Sequence, residues 1–154
     1  MSRIDERLAE LEITLPDAPK PVAAYVPSVR TGGLVFVSGQ VPLCEGALMA
    51  TGTVPSATSV DAAVAAARQC GINALAVLKA QLEGDLDRVQ RIVRIGVFVA
   101  SDPGFTDQPL VANGASELML DVFGDAGRHA RAAVGSVALP LDASVEVELI
   151  AEVD

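Results

Sequence analysis

Along the chain, apolar positions recur with two different periods, and the order in which these periods alternate predicts the elements. In residues 2–12, Ile4, Leu8 and Leu11 fall at three- and four-residue steps behind a Ser2 cap, which predicts a short amphipathic helix packed on the outside. Residues 15–27 hold Pro16, Pro19, Pro21 and Pro27 and read as an extended lead-in carrying the only tyrosine, Tyr25. A turn at Thr31-Gly32-Gly33 feeds residues 34–40, apolar on both sides until Ser38, as in a central strand ending where Gly39 exposes backbone. Residues 43–53 read as a hairpin turning at Glu45-Gly46. From Thr58 or Ser59, a helical stripe of Val60, Val64, Ala67, Gly71, Leu75, Leu78 and Leu82 runs until Gly84. Small flanking residues (Ala63, Ala66, Ala74) suit a helix lying close on a sheet. Residues 87–101 alternate as a strand, Val93, Ile95, Val97 and Val99 on one face and Arg94, Gly96, Phe98 and Ala100 on the other. Thr106 or Asp107, with Pro109 in the first turn, opens a helix to Phe123, its inner stripe Leu110, Gly114, Leu118 and Val122, stopped by Gly124.

The last stretch, 127–152, reads as two β-like runs about Leu139-Pro140. Alternation over 130–139 puts Arg131, Ala133, Gly135 and Val137 on one face, so a lone guanidinium stands among small side chains with room for a ligand. Over 145–153, Val145, Val147, Leu149, Ala151 and Val153 share the apolar face and Glu146 and Glu148 lie opposite. A hairpin, or a neighbouring subunit, would bring Arg131 and Glu146 to one pocket. The element order suits an α/β sandwich with both helices on one sheet face. Two helices leave the second face uncovered although several strands are apolar on both sides, so that face is expected to meet other subunits.

Composition narrows the function. The 154 residues suit one domain, and no repeat, charge block or boundary marks a second. A formal charge of −9 works against nucleic-acid partners, whose phosphates are neutralised by Lys and Arg. No uncharged apolar run reaches the ~20 residues of a membrane span, and the start does not read as a secretory signal, so a soluble cytoplasmic protein is expected. Cys44 and Cys70 are too few for a disulfide framework and read as reduced structural thiols.

Several side chains invite chemistry. Arg131 offers a guanidinium fork that matches a carboxylate, or else a structural ion pair. Glu146, if buried near it, would orient water or pass a proton, with Glu148 as the alternative on the same face. His129, the only histidine, reads as a general base or as a hydrogen-bonding turn residue, and alone makes no metal site. Ser38-Gly39-Gln40 would cradle a ligand through backbone N–H groups or simply form a bulge. Tyr25 is a pocket wall or a core residue, and Asn113, unfavourable in a helix, serves a contact, a cap or an interhelical hydrogen bond. Gly127-Arg128 has no P-loop or dinucleotide fingerprint around it.

From about Pro21 onward, these residues together resemble one family. Tyr25, Phe36-Val37-Ser38-Gly39-Gln40, Asn73-Ala74-Leu75, Arg131 followed by Val134, Leu139-Pro140 and Val145-Glu146-Val147-Glu148 occur in the order seen in the reactive intermediate deaminase (Rid, YjgF-like) family. Asn113-Gly114-Ala115-Ser116, Phe123-Gly124 and Gly127-Arg128-His129-Ala130-Arg131 resemble a longer, less characterised branch, with Ala133 where the archetypes commonly have Cys. The resemblance implies one YjgF-like domain over 1–154, with 1–20 as a helical extension and lead-in. It also implies a chorismate-mutase-like α/β fold in a homotrimer whose sheets form a barrel, with pockets between subunits. The implied activity is hydrolysis of 2-imino or 2-enamino acids to 2-oxo acids and ammonia, a hydrolase of C=N bonds without metal or cofactor. Arg131 would bind the substrate carboxylate, Glu146 would handle water or proton, and Tyr25, Gly39 and Asn113 would line the pocket. The alternative reading is a non-catalytic module that binds a small carboxylate or stabilises a partner through the same cleft.

Overall fold

The computed structural model describes residues 1–21 and 23–154. Helix α1 (Arg3–Glu10) starts at a capping box in which Ser2 Oγ accepts from the Asp5 N–H at 3.1 Å. Its first amides, those of Arg3 and Ile4, donate to the Asp87 carboxylate at 2.8 Å each. Ile4 and Leu8 are buried against the body, as their spacing predicted. The strands are β1 (Ser28–Thr31), β2 (Leu34–Gln40), β3 (Leu43–Cys44), β4 (Ala47–Leu48), β5 (Val89–Ala100), β6 (Ala130–Ser136) and β7 (Val145–Val153). Helix α2 (Val60–Gln81) is capped by Ser59, and α3 (Gln108–Phe123) follows β5.

Five strands form one mixed sheet in the order β1-β2-β7-β5-β6, while β3 and β4 make a separate small hairpin. All neighbours are antiparallel except β5 and β6, which run parallel with α3 as the crossover. Both long helices lie on one sheet face, as expected, and the core sits between them and that face. Alanine and glycine let the layers approach closely. A Cβ on Gly114 of α3 would overlap the Val64 carbonyl of α2, and one on Gly71 would come within 2.8 Å of Leu118 Cδ2.

The other face of the sheet carries Val29, Phe36, Ile150, Phe98 and Val134 with Arg94, Glu146 and Glu148, and among the described residues no element covers it. Val29, Phe36 and Val134 are 54%, 42% and 47% exposed, which is the uncovered face anticipated from the pattern.

Four expectations need correction. Strand β1 precedes the Gly32-Gly33 turn and was not predicted, because its four residues are largely exposed and show no apolar alternation. A bulge in β5 between Ile92 and Arg94 puts Ile92, not Val93, in the core. Leu110 is half exposed, and Val111 takes its place in the inner stripe of α3. Finally, β6 and β7 do not form a hairpin, since β5 lies between them.

Candidate functional site

Arg131 belongs to the sheet-edge strand β6 and pairs in register with Ile95, a core residue. Partners in register point to the same side, so Arg131 points toward the helices, where α3 meets it. Its Nη1 donates to Asn113 Oδ1 at 2.9 Å and to Ser116 Oγ at 3.1 Å. Both hydrogens of Nη1 are therefore taken, by neutral acceptors. Among the described residues no ion pair includes Arg131. Asn113 thus serves a contact with Arg131, one of the readings of its unfavourable place in a helix.

The hydrogen bonds continue beyond Ser116, whose Oγ is 2.9 Å from His129 Nε2, while His129 Nδ1 is 2.6 Å from the Gly127 carbonyl. A carbonyl only accepts, so Nδ1 carries a proton, and the Nδ1–H tautomer leaves Nε2 to take the serine hydroxyl. Gly127 is buried beneath α3, and a Cβ there would overlap the Met119 carbonyl. Of its two readings, His129 is the hydrogen-bonding turn residue. The link to Ser116 was not legible in the sequence, which offered only the proximity of both residues to Arg131 along the chain.

Glu146 lies on the opposite face of the sheet, between the buried Val145 and Val147 and paired in register with Phe98. A register shift in β2 between Val37 and Gln40 sets Gly39 against it. A Cβ on Gly39 would overlap the Glu146 carboxylate and sit 2.9 Å from its Cδ and 3.1 Å from its Cγ. The glycine leaves the space that the carboxylate fills. Partial burial pushes the Glu146 carboxyl above the ordinary range, and the neighbouring Glu148 charge adds to this. Glu148 is itself matched by Arg94, at 3.4 Å, in room left by Gly96. Among the described residues Glu146 has no such cation. The two glutamates of this face therefore differ in charge environment.

Tyr25, 60% exposed, lines an open cavity of about 600 Å³ with Gly39, Gln40, Leu43, Asn73 and Lys20. Buried Asn73 shapes this cavity by donating from Nδ2 to the carbonyls of Val41 and Leu43 at 3.0 Å each. The wall from the proline-rich lead-in, including Pro16 and Lys20, was not anticipated as part of a site. Tyr25 and Gly39, with Glu146 against Gly39, thus form one group, and Asn113 and Arg131 form another. The sheet separates Glu146 from Arg131. Of the cysteines, Cys70 is buried, its thiol donating to the Val145 carbonyl at 3.6 Å and pushed well up by burial and then by the Glu146 charge. Cys44 is exposed on the β3–β4 hairpin, which corrects its reading as a structural thiol. Among the described residues no group of three or more His, Cys, Asp or Glu is placed to hold a metal, and no helix is long and apolar enough to cross a membrane.

A mixed sheet backed by two helices on one face places the chain in a class of small α/β proteins. The chain belongs to the YjgF-like family: residues 5–153 match the family described as "YjgF/chorismate mutase-like, putative endoribonuclease". It is similar to Protein TCP17 of Trypanosoma cruzi, 45% identical over 153 residues, which span 99% of this chain and 95% of that one. The crystal structure of Atu1372, a protein of unknown function from Agrobacterium tumefaciens, superposes with a TM-score of 0.92 at 48% identity, covering 98% of this chain and 92% of that one. A 2-iminobutanoate/2-iminopropanoate deaminase of Dermatophagoides farinae is 27% identical over 143 residues, 92% of this chain and 95% of that protein.

Proposed function

We propose that this protein hydrolyses reactive 2-imino and 2-enamino acids to 2-oxo acids and ammonia, in a pocket shared between two copies of the chain. The observation that carries the reading is the state of Arg131: a guanidinium held in place by Asn113 and Ser116 yet left without a carboxylate. A small planar acid is the partner such a fork lacks. The related deaminase from Dermatophagoides farinae supplies the reaction class.

Arg131 and Glu146 of one chain are on opposite faces of its sheet, so one molecule cannot offer both to one small substrate. A neighbouring copy, seated on the uncovered face that holds Val29, Phe36 and Val134, would bring its Arg131 to this chain's Glu146. A homotrimer whose sheets close a barrel satisfies this with one repeated interface. Tyr25, Gly39 and Asn113 then line the cleft.

In that pocket the imine carbon is already electrophilic, and the chain supplies position and proton transfer. A 2-enamino acid first takes a proton at C3 and gives one up at nitrogen to become the imine. Glu146 accepts a proton as water adds its oxygen to C2, and the carbon–nitrogen double bond becomes single as the nitrogen is protonated. The carbinolamine then collapses: Glu146, having passed the water's proton to the nitrogen, takes the C2 hydroxyl proton as the carbonyl forms and hands it to the nitrogen, which leaves as ammonia. No residue forms a covalent intermediate. The raised acidity range of Glu146 suits a group that both takes and returns a proton.

The test is release of 2-oxo acid and ammonia from freshly generated 2-iminopropanoate, with light scattering to measure the assembly. Removing a charge-assisted bidentate contact costs about 2–3 kcal/mol, so Arg131→Ala is expected to lower kcat/KM on the order of 10²-fold in an assembly of unchanged size. Undiminished turnover in Arg131→Ala would refute the reading. Saturable 2-oxo acid binding without any ammonia release would replace it with a carboxylate-binding module.

A further inference from the structure

We infer that Ser116 and His129 are positioning residues for Arg131, fixing which edge of its guanidinium faces the substrate carboxylate. The inference rests on the reading of Arg131 as the carboxylate anchor. A guanidinium has five N–H groups, and the two on Nη1 are taken by Asn113 Oδ1 and Ser116 Oγ. What remains is the edge formed by Nε and Nη2, whose two parallel N–H groups match the two oxygens of a carboxylate. The substrate's acid is therefore met side-on, at the one edge the protein leaves open.

Ser116 alone does not fix that choice. A serine hydroxyl rotates freely, and with its hydrogen turned toward Arg131 it would repel the guanidinium instead of holding it. His129 removes the ambiguity, because its Nε2 accepts the hydroxyl hydrogen and leaves an oxygen lone pair facing Nη1. His129 is itself set by its Nδ1–H bond to the Gly127 carbonyl, 2.6 Å away. That carbonyl is held by the tight approach of Gly127 to the Met119 carbonyl, where no larger residue fits. The chain Gly127–His129–Ser116–Arg131 thus runs in one direction, each bond deciding the next.

His129 is the only histidine, so nitrogen-15 resonances of its ring report the tautomer without assignment ambiguity. The expected result for the wild type is the Nδ1–H form, and an Nε2–H ring would overturn the inference. For function, Ser116→Ala and His129→Ala are each expected to raise KM for 2-iminopropanoate, and Kd for 2-oxobutanoate by calorimetry, about three- to tenfold, with kcat within about twofold. Because His129 acts through Ser116, the double variant is expected to bind no more weakly than Ser116→Ala alone. His129→Gln, whose amide oxygen can accept the same hydrogen, is expected to bind within about twofold of wild type. Additive losses in the double variant, or no rescue by His129→Gln, would overturn the positioning role. Wild-type affinity in Ser116→Ala and His129→Ala alongside lost binding in Arg131→Ala would do the same while sparing the anchor. Unchanged binding in Arg131→Ala would remove the anchor itself.

Discussion

Gly39→Ala separates what the fold needs from what the site needs. Gly39 is not among the residues with positive φ, so alanine accepts its backbone, and a strand alanine is favoured over glycine by roughly 0.5–1 kcal/mol. Against this, the new Cβ overlaps the Glu146 carboxylate, and the overlap must open to an ordinary contact of about 3.4 Å. The obstacle is the end of a flexible side chain, so Glu146 swings aside at about 0.5–1.5 kcal/mol of rotamer cost. The two terms nearly cancel, and the variant is expected to unfold within about 4 °C of wild type. Its carboxylate, however, moves by more than about 1 Å, a displacement that costs on the order of 10²-fold in rate. The loss should fall on kcat, because in the proposed pocket carboxylate binding belongs to Arg131 of the neighbouring copy. Paired thermal unfolding and 2-iminopropanoate turnover give the answer. Turnover within about threefold of wild type would refute the placement of Glu146 in the reaction, and destabilisation beyond about 3 kcal/mol would show that Gly39 serves the fold.

Gly114→Ala tests the opposite case: a mid-helix alanine normally stabilises by about 1 kcal/mol, but here it collides with the Val64 backbone carbonyl, which no rotamer relieves. The expected net loss is about 2 kcal/mol, or about 4–8 °C in Tm, read by thermal unfolding, and a gain in Tm would contradict the close α2–α3 approach. Glu146→Gln is expected to abolish turnover yet raise stability at pH 7. The carboxyl of Glu146 is raised in the folded state, so the wild type is spared its ionisation below the reference value of 4.5 and loses stability as pH climbs through the folded value. The Tm advantage of the variant should shrink as pH falls toward 4.5, and an advantage that grows on acidification would show that burial does not raise this group.

Much of the fold was legible because burial imposes a period. The run from Val145 to Val153 shows period two without interruption, and each odd position is buried as predicted. Helix α2 was equally plain, its small residues already implying close packing. Period, however, tells a strand's faces and not its neighbours. The alternation of β6 fits a parallel edge strand as well as a hairpin arm, and only the α3 crossover decides between them. Likewise a bulge shifts the inward set by one residue without leaving a mark in the pattern, which is why Val93 read as core in place of Ile92. Strand β1, with Ser28, Arg30 and Thr31 among its four residues, had too little apolar content to announce itself.

The candidate residues could be picked out from the sequence and their placement could not, and the reason is physical. Arg131 and Glu146 drew attention as charges in β-like runs with small or apolar neighbours, but two alternating strands give no rule for which faces coincide. The structure puts these residues on opposite faces, and that separation changes the requirement from a hairpin to a second copy. Under the proposed function the neutral partners of Arg131 have a purpose. A carboxylate would hold the guanidinium as firmly as Asn113 and Ser116 do, yet it would cancel the charge that the substrate must find. On a chain with a formal charge of −9, the long-range field repels small acids, so attraction has to be local and undiluted. Holding a cation by amide and hydroxyl oxygens, with a histidine turning the hydroxyl, keeps its full charge facing the cleft.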